Sequence, residues 1–302
     1  MSQALNVIKS VTVTDVMLTG TNVPENDYAA WAAGTTYAAG NRVIVVAEHK
    51  IYESLVGGNI GHAPASSPDY WIEVSPTNRW KLFDLSNTTQ TMVGATAYYE
   101  LTPGVAVNSV ALINIQGITS VRIRLTDPVF GVVYDKTASL IAQISESSWY
   151  AWFFELREAP AQFIALDLPS YPTATLRVDV TADSSGYIGV LAFGYSRQIG
   201  LGVRLGARVG IQDYSRKERN TFGDVRLVQR AYARRNNLSL LVANSDLDNT
   251  VRHLANLRAT PCLWIASAMY ESMVVFGFYN NFEVLISYAH HAELSIDIEG
   301  MT

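Results

Sequence analysis

Cysteine is almost absent: Cys262 stands alone among 302 residues, which excludes an internal disulfide and any multi-thiolate zinc site. It sits beside Pro261 and Trp264 in an apolar run with no group to activate it, and so reads as a small buried hydrophobe. Charge is scarce at 16% of residues, and lysine is scarcer still, five against seventeen arginines. Long hydrophobic runs are missing too. The chain is 49% hydrophobic with a mean hydropathy of +0.11, yet its most apolar stretch, residues 261–270, reaches only half of the roughly 18 residues a membrane-crossing helix needs. No membrane span is expected. The first residues carry no basic patch followed by an apolar block, so they do not read as a signal peptide, and the chain reads as made in the cytoplasm. Val11 and Val13 alternate there with Thr12 and Thr14, as in a strand.

Catalytic signatures are equally sparse. Gly-x-Ser-x-Gly and Gly-Lys-Ser/Thr do not occur, and the glycines at 200, 202, 206 and 210 have the wrong spacing for a dinucleotide loop. Alternate glycines instead suit close approach of another backbone or of a large aromatic ring. The five histidines are His49, His62, His253, His290 and His291, none at a spacing that builds a metal site, and no metal or cofactor is expected. Glu155 and Glu158 are the only acids in an aromatic neighbourhood, yet neither has a visible second carboxylate for glycoside cleavage. The chain is read as not an enzyme.

What is present is a mainly β chain. Residues 1–26 are polar, end in a turn cluster around Pro24, and read as an extended N-terminal arm. Residues 27–76 change texture: short strands at residues 42–46 and 50–53 are separated by Gly and Pro loops. Trp31, Tyr37, Tyr52, Tyr70 and Trp71 supply the burial that so small a unit needs. Residues 77–197 show period-two strands, Val121/Ile123/Leu125 against Arg122/Arg124 and Leu176/Val178/Val180 against Arg177/Asp179. Turns are expected at Pro103-Gly104, Asp127-Pro128, Pro169-Ser170 and Asp183-Ser184-Ser185-Gly186. This pattern predicts an antiparallel β-sandwich, jelly-roll or galactose-binding-like. The aromatic segment 147–154 reads as intersheet core or subunit contact.

Residues 198–302 read as an α+β assembly domain. A charged loop is expected over residues 213–224, then a strand through Leu227 and Val228. One clear helix begins at Ser245 as N-cap with Asp248 three residues on, buries Leu247, Val251, Leu254 and Leu257, and stops at Pro261. Strands at residues 273–278 and 282–287, joined at Asn280-Asn281, are followed by the alternation Leu294, Ile296, Ile298.

Charge is segregated. From Arg197 to Arg258 the chain holds twelve basic and five acidic residues, within a net charge of −5 for the whole. The arginine bias suits pairing with carboxylates at protein interfaces. Arg204, Arg208, Arg226, Arg230, Arg234 and Arg235 are therefore candidate interface residues, facing acidic surface on a neighbouring subunit in preference to nucleic acid. Arg226 and Arg230 share one face if that segment is helical.

Two resemblances follow. Trp31, the run Tyr37-Ala38-Ala39-Gly40-Asn41-Arg42-Val43, the run His49-Lys50-Ile51-Tyr52-Glu53-Ser54, the run Asn59-Ile60-Gly61-His62-Ala63-Pro64, and Tyr70-Trp71-Ile72-Glu73-Val74 resemble the chitin-binding carbohydrate-binding module of families five and twelve. That resemblance implies the small fold. It also implies glycan stacking on exposed aromatics, for which Trp31, Tyr37, Tyr52 and Trp71 are the candidates. Ser54-Leu55-Val56 stand where the family places an aromatic pair, and the unit is read first as a plug or spacer. The whole arrangement resembles virion structural proteins of tailed bacterial viruses, on residues 213–218, 257–264 and 293–302. That resemblance implies a tail, baseplate or fibre-attachment component of the virion. Its partners would be copies of itself and other virion proteins, with host-surface glycan as the alternative partner.

Overall fold

The computed structural model describes residues 4–86, 88–141, 149, 159–219, 221, 223–267 and 269–301. In chain order the strands open with β1 (Leu5–Ser10) and β2 (Leu18–Thr21), then β3 (Arg42–Val45), β4 (Lys50–Ser54) and β5 (Trp71–Pro76). They continue with β6 (Thr91–Val93), β7 (Thr96–Leu101), β8 (Ser109–Asp127), β9 (Gly131–Ser139), β10 (Gln162–Ala165) and β11 (Thr175–Ile199). Next come β12 (Gly202–Val203), β13 (Arg208–Asp213), β14 (Arg216–Arg219), β15 (Val225–Val228) and β16 (Tyr232–Ala243). Helix α1 (Leu247–Asn256) precedes β17 (Cys262–Ile265), β18 (Val274–Leu285) and β19 (His291–Gly300). The fold is mainly β, built from antiparallel ladders, with α1 the one α-helix bounded among the described residues.

Fourteen strands form a continuous sheet whose main path runs β10-β8-β11-β1-β17-β18-β19-β16-β12. The segment expected to be an extended N-terminal arm enters the subunit's own sheet: β1 pairs with β11 on one side and β17 on the other. Its Leu5 and Val7 face the core under α1, while Ile8 faces the opposite core. Burial on both faces removes the need for alternation, which is why the strand lies at Leu5–Ser10 and not over the alternating residues 11–14. Cys262-Leu263-Trp264-Ile265 in β17 are buried for the same reason.

The period-two patterns hold in β8 and β11: Val121, Ile123, Leu125, Leu176, Val178 and Val180 are buried in one shared core. The turn expected at residues 183–186 is instead a bulge inside β11, which shifts register against β8 between Ala182 and Tyr187. Gly117 makes this fit, for its φ is +68° and a Cβ there would lie 2.8 Å from the Ser185 carbonyl oxygen. Likewise β18 is one strand and not two joined at Asn280-Asn281. It bulges between Tyr279 and Asn281, and Asn280 Nδ2 donates to Glu299 Oε2 at 2.8 Å.

Helix α1 begins one residue later than expected. Residues 244–246 form a 3₁₀ turn and Asp246 is the N-cap position, its carboxylate accepting from Asn249 Nδ2 at 3.0 Å and Thr250 Oγ1 at 3.3 Å. Leu254 and Leu257 are buried on the sheet with Leu247 beside them. Tyr279 Oη donates to the Leu254 carbonyl at 2.9 Å, which also accepts from Leu257 N at 3.0 Å, so the last turn of the helix is tied to β18.

Residues 27–76 fold around the separate sheet β3-β4-β5. The outer side of β3 is occupied by residues 29–31, through Trp31 N donating to Ile44 O at 3.0 Å and Ile44 N donating to Ala29 O at 3.1 Å. Hydrogen bonds from Asn78 N to Asp27 and from Thr77 N to His49 O join this unit to the chain that follows, and a buried polar node lies beside them. Glu25, with a side chain only 4% exposed, accepts from Thr77 Oγ1 at 2.7 Å and from Arg79 Nη1 at 3.3 Å. His49 Nδ1 lies 2.8 Å from the same carboxylate, its Nε2 lies 2.6 Å from Asp15, and its ring stacks on Trp80 at 4.1 Å. His49 is held there in a left-handed conformation, φ 56°.

Candidate functional site

The four candidate stacking aromatics converge, but inward. Tyr37, Tyr52 and Trp71 are 8%, 6% and 2% exposed, and with Val43 they form the core of the small unit, Trp31 packing half-buried against them. Tyr37 and Trp71 meet edge to face, centroids 5.1 Å apart and planes at 70°. Their polar tips are used internally. Trp71 Nε1 donates to His62 O at 2.9 Å, Tyr37 Oη accepts from Ala32 N at 2.9 Å, and Tyr52 Oη donates to Glu48 Oε2 at 2.6 Å. Burial, with Glu48 beside it, pushes the Tyr52 phenol above its usual range. A sugar platform needs coplanar, wet rings. These rings are core, which corrects their assignment as a glycan-stacking set.

The six candidate arginines separate into two groups. Arg204 pairs with Glu293, and Arg235 Nη2 lies 3.9 Å from Asp297, so both have a carboxylate partner within the subunit. Arg234 is half-buried and its Nη1 donates to Glu271 O at 2.9 Å and to Val274 O at 3.4 Å. It walls a cleft of about 310 Å³ whose ionisable lining, among the described residues, is itself and Tyr232, so no acid–base pair of described residues converges there. Arg208, Arg226 and Arg230 differ: they are exposed and their side chains make no ion pair among the described residues.

Arg226 does not share a helical face with Arg230, because the expected loop over residues 213–224 and the strand after it form a β-ribbon. Strands β14 and β15 pair antiparallel, Arg216 with Val228 and Arg219 with Val225, as a two-stranded sheet apart from the large one. At its base Lys217 lies 2.8 Å from Asp213, and Lys217 with Ser215 holds that carboxyl well below the usual carboxylate range. Every residue of β13, β14 and β15 is exposed. Sequence reasoning missed this ribbon. The signal was Val225-Arg226-Leu227-Val228, an apolar strand answering a charged one across Gly223.

In the glycine series Gly200 makes the expected close approach, for its Cβ would lie 2.6 Å from the Leu241 carbonyl oxygen, while Gly206 and Gly210 face open space. Glu155, Glu158 and the aromatic segment 147–154, save Trp149, lie outside the described residues. Cys262 is fully buried, and burial pushes its thiol up to about 12. Among the described residues no three His, Cys, Asp or Glu side chains gather as metal ligands, and no helix is long and apolar enough to cross a membrane. The chain matches no family model, no curated protein and no solved structure.

Proposed function

We propose that this chain is a non-enzymatic structural subunit of a tailed bacterial virus, a tail, baseplate or fibre-attachment component that assembles through its β-rich body. The observation that carries the reading is the ribbon β14–β15 with the neighbouring strand β13. Residues 208–232 expose Val209, Ile211, Val225, Leu227 and Tyr232 among six basic side chains, each of these apolar or aromatic residues being between 45% and 69% exposed. Exposed apolar rows rimmed by charge mark contact surfaces. The sequence likeness to virion proteins supplies the kind of particle, and the small unit, with its aromatics turned inward, serves as a spacer. Its partners are copies of itself and other virion proteins.

Size-exclusion chromatography with light scattering tests this. The expected result is a defined multiple of the 33.2 kDa chain, closed by symmetry into a trimer or a ring. A 33.2 kDa species at every concentration would overturn self-assembly.

A further inference from the structure

We propose that the β14–β15 ribbon of one subunit docks on the free edge of the small sheet, at β5, of a second copy of this chain. The inference rests on the assembly reading and specifies its contact.

The ribbon is an element without a core. Val225, Leu227 and Val228 are 52%, 69% and 39% exposed, and β15 is bonded to β14 alone. A lone two-stranded ribbon is marginal in water, and an uncovered apolar strand edge recruits another strand. The two edges are unequal. Arg216-Lys217-Glu218-Arg219 places a charge at every position of β14, whereas β15 carries only Arg226 among three apolar residues. The open edge is β15.

Charge selects the partner. Residues 208–232 hold six basic and three acidic residues, so ribbon against ribbon would oppose like charge. Residues 27–76 hold five acidic and two basic residues. Within that unit the outer side of β3 is already occupied by residues 29–31, which leaves β5 as the free edge. Ile72 and Val74 on β5 are 51% and 42% exposed, with Glu73 between them and Glu53 opposite Ile72 in the ladder. On the ribbon, Arg219 stands opposite Val225 and Lys217 opposite Leu227, so one face offers two apolar side chains flanked by two cations. Docking buries Val225 and Leu227 against Ile72 and Val74 and brings the cationic face of the ribbon, Arg219 first because Lys217 already pairs with Asp213, to the side of the sheet that carries Glu53. Among the described residues Glu53 is otherwise paired with the surface residue Arg42. Both surfaces are exposed within one subunit, so the contact joins different copies head to tail. Such a heterologous contact closes into a ring or extends as a filament.

Cross-linking tests it, because Cys262 is fully buried and silent. Leu227→Cys protein is mixed with Ile72→Cys protein under mild oxidation, and Val225→Cys with Val74→Cys in parallel, so that one unfavourable pair geometry does not decide the result. The expected result is a disulfide-linked dimer in the mixtures and in neither variant alone. Arg219→Glu with Leu227→Glu is expected to weaken assembly at least tenfold while leaving the circular dichroism of the fold unchanged. A wild-type oligomer with no cross-link in either mixture, or with Leu227→Cys linking to itself, overturns this docking and leaves the assembly reading standing. A wild-type monomer at every concentration overturns both.

Discussion

At the scale of single residues, burial turns ordinary side chains into limits on the fold. His253 on α1 has its Nε2 buried without a hydrogen-bond partner. Burial first, then the charges of Arg197 and Lys9, hold its pKa below the usual histidine value. The native state therefore takes up a proton less readily than the unfolded chain. Its stability is whole above the ordinary histidine range and falls as pH drops through that range, because the unfolded chain gains the proton first. His253→Gln should flatten the loss of melting temperature between about pH 7 and pH 5; a slope identical to wild type would show that other groups govern acid sensitivity. The arginines teach a related point. Sequence position made six of them equivalent, yet a carboxylate or carbonyl within reach commits Arg204, Arg234 and Arg235 to their own subunit.

At the scale of elements, glycines and bulges decide where strands continue. A Cβ on Gly277 in β18 would collide with the Glu299 carbonyl oxygen of β19, while Trp264 Nε1 donates to the Gly277 carbonyl at 3.0 Å. Gly277→Ala is expected to cost about 2–3 kcal/mol in urea unfolding, as overpacking of a fixed backbone does; a loss under about 0.5 kcal/mol would mean that β19 shifts freely. Period-two burial was legible in β19, in β8 over residues 121–125 and in β11 over residues 175–182, because there the faces divide into core and solvent, whereas residues 109–113 and 188–194 are buried on both faces. The stretches at residues 183–186 and 280–281 misled for a common reason. Asp, Ser, Gly and Asn favour both turns and bulges, and only the opposing strand selects between them. Helix α1 was legible in its buried leucines, but its cap was displaced by one residue because a 3₁₀ turn absorbs Ser245, and it ends at Asn256, ahead of the expected stop at Pro261, with Ala259 in a left-handed conformation between them.

At the scale of the whole molecule, β1 joins what the sequence divides. It lies between β11 and β17, and β11 itself runs through residue 197, where a domain boundary was expected. The small unit remains distinct, with its own aromatic core and a buried polar node at Glu25. Glu25→Ala strips His49, Thr77 and Arg79 of a buried acceptor and should cost roughly 1.5–3 kcal/mol. The loss should surface in hydrogen exchange as faster opening of β3, β4 and β5 with β1 and β17 unchanged; uniform acceleration across both would show one cooperative unit. The sequence by itself determined the β class, the aromatic composition of the small core, the helix and the segregation of charge, because periodicity, residue type and local caps are properties of neighbouring residues. Only the tertiary structure decided that Trp71 and Tyr37 meet edge to face, that β1 is a central strand, and that the strand Val225–Val228 stands exposed. Those outcomes depend on which distant strand lies alongside, and a pattern of neighbours carries no record of that.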